Sequence, residues 1–127
     1  MEFELKTRIN APAKEIYEAW LSSEGHTNMT GGEAITSDKV GESFTAWDGY
    51  IEGKNIALAP HKRILQSWRT SQFEVDEKDS QIEILLNEID GKTELTLIHT
   101  AVPESGEHYK NGWDVHYFQP MKTYFSD

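Results

Sequence analysis

Along this chain the spacing of hydrophobic positions switches between two periods. Phe3, Leu5, Thr7 and Ile9 alternate with Glu4, Lys6, Arg8 and Asn10, which predicts a strand with one apolar face. The spacing then lengthens. Ile16 with Trp20, and Tyr17 with Leu21, are i,i+4 pairs, so a helix is predicted over 12–23. Pro12 suits its first turn and Glu15 its positive end. Gly25, Gly31 and Gly32 make the next stretch read as loop. From there alternation returns, with strands expected near 33–37, 42–48, 50–59, 63–71, 80–89 and 93–102. Asp48-Gly49 and Asp90-Gly91-Lys92 mark hairpins, because Gly accepts the positive φ of a primed turn. After Val102-Pro103, Trp113, Tyr117, Met121 and Tyr124 recur at steps of four, four and three, one apolar stripe of a terminal helix. Pro120 interrupts that stretch, so a kink there or a restart near Met121 is expected.

The order is therefore strand, helix, six strands, helix, without repeat or linker. It excludes a pure sandwich and a parallel α/β sheet. It matches an α+β helix-grip arrangement, in which a curved antiparallel sheet wraps a long C-terminal helix. Joining such a sheet to an aromatic stripe leaves room for a hydrophobic cavity. The expected lining residues are Trp68, Leu97, His99, Trp113, Tyr117 and Met121. Trp68 shares a strand face with Ile64 and Gln66, and His99 shares one with Leu95, Leu97 and Ala101. A semi-buried imidazole at His99 would hydrogen-bond a ligand; a core histidine satisfied by the protein is the alternative. Core packing is likewise the alternative for the four tryptophans, 20, 47, 68 and 113.

Composition narrows the chemistry. With 127 residues the chain is expected to be one domain. It contains no Cys, so disulfides, thiolate catalysis and Cys-based zinc sites are excluded. The five histidines show no His-Glu-x-x-His or His-x-x-x-His pairing, and the glycines lack a dinucleotide or phosphate-loop spacing. No catalytic residue, metal ligand or cofactor is expected. A net charge of −10 argues against nucleic acid or anionic membrane as the main partner. The N-terminus, acidic and alternating, reads as no secretory signal, which fits the cytoplasm.

Two blocks carry a family resemblance. Phe44 to Gly53 leads into Leu58-Ala59-Pro60-His61-Lys62-Arg63-Ile64 and Ser67-Trp68-Arg69. Thr93 to Leu97, Gly112-Trp113, Tyr117-Phe118 and Met121-Lys122 follow. This resembles the C-terminal domain of the activator of heat shock protein 90 ATPase and its single-domain bacterial homologues, within the START-like (SRPBCC) helix-grip superfamily. The resemblance covers nearly the whole chain and implies the helix-grip fold. The family supplies no universal catalytic residue, and its separate N-terminal domain is expected to be absent, since Met1 lies just before the first strand. Three functions follow as expectations. The first is a non-enzymatic domain holding a small hydrophobic or aromatic ligand. The second is a stress-response module that binds a heat-shock chaperone, and the third is a cavity enzyme of polyketide cyclase type.

Overall fold

The computed structural model describes residues 1–126. Six strands form one antiparallel sheet: β1 (Phe3–Ile9), β2 (Ser43–Ala46), β3 (Ile51–Ala59), β4 (Arg63–Thr70), β5 (Ser80–Ile89) and β6 (Lys92–Thr100), in the spatial order β1-β6-β5-β4-β3-β2. Helices α1 (Ala13–Leu21) and α2 (Ser23–Thr30) separate β1 from β2. Past a short 3₁₀ turn at Glu104–Gly106, the C-terminal helix runs as α3 (His108–Trp113), a π-helical turn (Asp114–Phe118) and α4 (Gln119–Tyr124). This is the α+β, helix-grip architecture. Among the described residues, no helix is long and apolar enough to cross a membrane.

Alternation sets which face of the sheet is buried. Ile64, Gln66, Trp68 and Thr70 of β4 point inward, as do Ser80, Ile82, Ile84 and Leu86 of β5 and Leu95, Leu97 and His99 of β6. Antiparallel register places Ile84 opposite Leu97 and Ile82 opposite His99, so these side chains form one continuous layer. The C-terminal helix lies across this layer. Its contacts include the tilted ring pair Trp68–Trp113, with centroids 5.5 Å apart. At the other end of the sheet, Glu88 of β5 accepts the Ala13 N–H at 2.8 Å and so caps α1, where Pro12 offers no capping side chain.

Three local expectations change. The stretch read as loop is helix α2, because Ser22 Oγ accepts the Gly25 N–H at its start and Gly31, at φ 90°, closes its end. Two caps outweigh a weakly helical interior. The strand expected at 33–37 reduces to a single bridge between Ile35 and Thr45, since Gly31-Gly32 and the Ser37 turn leave no length for a ladder. Tyr124, expected on the apolar stripe, is 47% exposed, whereas Trp113, Tyr117 and Met121 are buried. In an α-helix a four-residue step drifts by about 40°. The π turn holds more residues per turn and absorbs that drift between Trp113 and Met121. It also prepares for Pro120: the Gln119 N–H bonds Asp114 O, and Pro120 enters α4 in its first turn, where a missing donor is least costly.

Candidate functional site

A cavity of about 440 Å³ opens between the β2–β3 turn, the inner face of β4 and the C-terminal helix. Its walls are Trp47, Tyr50 and Ile51 on one side and Tyr109, Gly112, Trp113, His116 and Tyr117 on the other, with Trp68 beneath. His108 and Asn111 complete the lining, and they, Tyr50 and His116 are exposed at the mouth. The lining includes no Lys, Arg, Asp or Glu.

The turn that carries Trp47 explains its place. Trp47, Asp48 and Gly49 all adopt positive φ, and Tyr50 N–H closes the loop on Trp47 O at 3.1 Å. Trp47, with φ 50°, is an uncommon occupant of the left-handed region. Its ring lies over Gly32, where a Cβ would sit 2.4 Å from the indole, and meets His116 edge-on at 5.3 Å. At the mouth, Tyr50 O–H donates to Gln72 Oε1, which also meets His108 Nε2 at 3.1 Å.

Behind the cavity wall, two buried histidines fix the aromatic rings. Trp113 Nε1–H donates to His99 Nδ1 at 3.1 Å. The proton of His99 therefore sits on Nε2, which donates to Ser80 Oγ at 2.8 Å, and Ser80 donates in turn to Trp68 O at 2.7 Å. The opposite tautomer is fixed at His26. Its Nδ1 lies 2.9 Å from Trp20 O, which only accepts, so Nε2 accepts the Tyr117 O–H, also at 2.9 Å. Burial, which disfavours the charged ring, lowers His99 to about 3 and His26 to about 4; at His26 the bond to Trp20 O partly opposes that shift. Burial also pushes the Tyr117 phenol up. The His99–Ser80 pair has the wrong polarity for a nucleophile, because the serine receives a proton from the ring and gives its own to a carbonyl.

Of the six residues expected to line a cavity, Trp68, Trp113 and Tyr117 do so. Leu97, His99 and Met121 do not: each has 0% exposure and lies in the packed layer between sheet and helix. The period of two placed Leu97 and His99 on the inner face correctly, but the helix covers that part of the face, and both nitrogens of His99 are taken by protein groups. Sequence reasoning missed Trp47, Tyr50, Tyr109, Gly112 and His116. One signal pointed to Tyr109, which extends the apolar stripe a further step of four back from Trp113.

Comparison with known proteins gives a consistent result. The family model described as "Activator of Hsp90 ATPase homolog 1-like protein" matches residues 10–126. The activator of 90 kDa heat shock protein ATPase homolog of Dictyostelium discoideum is 25% identical over 125 residues, covering 96% of this chain and 32% of that protein. The chain thus spans about a third of the length of the curated relatives it matches. An HSP90 activator from Plasmodium falciparum superposes with a TM-score of 0.88 at 21% identity, covering 97% of this chain and 94% of that one. The solution structure of the Aha1 dimer from Colwellia psychrerythraea gives 0.81 at 16% identity, covering 98% and 96%. At such identities the structural likeness is one of fold.

Proposed function

The chain belongs to the family of Activator of Hsp90 ATPase homolog 1-like proteins, and from that premise we propose that it holds a small hydrophobic or aromatic molecule in the cavity, without chemistry, in the cytoplasm. The observation that carries this reading is the cavity itself. Its roughly 440 Å³ exceed the ~300 Å³ lower bound of drug-sized sites, and its lining is aromatic with a few neutral polar groups at the mouth. The cyclase-type reading draws no support from this lining: no carboxylate lines the cavity with His108 or His116 to pair with either as acid and base. Protein purified from its own host and sprayed under native conditions is expected to carry a mass increment that denaturation releases. Bare protein in repeated preparations, together with no uptake of an uncharged apolar dye, would sink the proposal.

A second reading, docking to a heat-shock chaperone as a stress-response module, is favoured by the names of the Dictyostelium and Plasmodium relatives. The net charge of −10 would steer this chain toward a basic patch, and docking would weaken as salt rises. Chaperone ATP turnover, measured with and without an excess of this protein at two salt concentrations, is the test. Weak stimulation at most is expected. A saturable acceleration of several-fold would place chaperone binding first.

A further inference from the structure

Gly112 lies on the cavity wall inside the C-terminal helix, with helical backbone before and after it. Glycine there weakens the helix relative to alanine, so its presence asks for a reason. The other eight glycines have one. Gly31, Gly41, Gly49 and Gly91 adopt positive φ, and a Cβ on Gly25, Gly32, Gly53 or Gly106 would come within 3.0 Å of a neighbour. At Gly112, φ is not positive and a Cβ would meet nothing within 4 Å. The bare backbone therefore faces open space, in a wall built mostly from large rings.

Resting on the ligand-binding reading, we infer that the occupant is a flat, uncharged aromatic molecule that lies against the helix backbone at Gly112. Three features agree on this class. Tyr109 and Trp113 flank Gly112 on the helix, and Trp47 faces them from the β2–β3 turn, so the gap is bounded by π-surfaces. No Lys, Arg, Asp or Glu lines the cavity, so a charged group inside would go uncompensated. The Asn111 amide and the His116 imidazole stand at the mouth, where they suit a neutral hydrogen-bonding edge left toward solvent. The competing role for Gly112 is to ease the chain into the π turn that starts at Asp114.

The test uses three probes on the whole chain: N-phenyl-1-naphthylamine, its 8-sulfonate, and the smaller indole, titrated against wild type, Gly112→Ala and Gly112→Leu. Wild type is expected to bind the uncharged naphthylamine more tightly than the sulfonate. Gly112→Ala should weaken the naphthylamine about threefold and Gly112→Leu about tenfold, with indole little changed in Gly112→Ala. The thermal midpoint of Gly112→Ala should equal or exceed that of wild type. Unchanged naphthylamine affinity in both variants would overturn the inference. So would equal losses for naphthylamine and indole with a lowered midpoint, which would assign Gly112 to the π turn. Tighter binding of the sulfonate would overturn the uncharged class. If wild type bound none of the three probes, the ligand-binding reading itself would fail and take this inference with it.

Discussion

The C-terminal helix has two unlike flanks. On the core flank, Leu95, Leu97, His99 and Met121 are fully buried, and Trp113, His99 and Ser80 join one bond chain of fixed direction. On the cavity flank, Trp47 sits at positive φ, its buried indole nitrogen finds no hydrogen-bond partner among the described residues, and a void remains. The same residue type behaves differently on the two sides. Trp20 and Trp113 give their N–H groups to Gln66 and His99 and close the core. Trp47 keeps an orphan donor, an arrangement that costs about 1–3 kcal/mol in a buried setting. Among these three tryptophans, the two with an acceptor for the indole N–H are closely packed, and the one without stands at the open cavity.

The strongest way to break this contrast is Trp113→Ala. It removes a large core ring and strips His99 of its Nδ1 donor, so a loss of about 3–5 kcal/mol in denaturant melts is expected. A loss below about 1 kcal/mol would show that the core flank is as loose as the other. Acid comes next. His26 and His99 have folded pKa values of about 4 and about 3, below the value near 6.5 of the unfolded chain. A lowered histidine pKa means that the unfolded state binds more protons. Stability is therefore fully present above about pH 6.5 and falls as the pH drops toward the folded values. Relative to pH 8, each buried ring should remove about 2 kcal/mol at pH 5. Urea midpoints that stay flat between these pH values would show that the rings are not held neutral by burial. The smallest stability change is expected at Trp47→Gly, because relief of the positive φ offsets lost packing, leaving a net change of about 1 kcal/mol or less. The same variant should lose most of its affinity for an uncharged aromatic dye. Retained affinity would show that the β2–β3 turn is no wall of the binding space.

How much was legible in advance followed the range of the forces involved. Strands β3 to β6 and their hairpins were readable because alternation and Asp-Gly turns act within a few residues. Helix α2 carried its signal in Ser22 and Gly31, two caps flanking an interior of weak propensity, and glycine content concealed it. The inner faces of β4 and β6 were placed correctly, yet nothing local to Leu97 or His99 says where the helix will lie across them. That line is drawn by Trp68, His99 and Trp113 meeting across 14 to 45 positions of sequence. Trp47 reaches the cavity only because three successive residues turn left-handed, a conformation that a tryptophan does not advertise.

The π turn at Asp114–Phe118 has a bearing on which changes this segment can accept. It works as a phase adjuster: one residue more than an α-turn would hold keeps Trp113, Tyr117 and Met121 facing the sheet. Deleting a single residue between 114 and 118 would restore ordinary winding, with seven residues bringing Met121 back into line with Trp113 to within about 20°. Inserting one would instead rotate everything after it by about 100° relative to the sheet. Met121 would then leave its place in the core and an exposed neighbour would take it. Side chains on the outward face can vary widely here, and the segment can lose one residue in phase but not gain one.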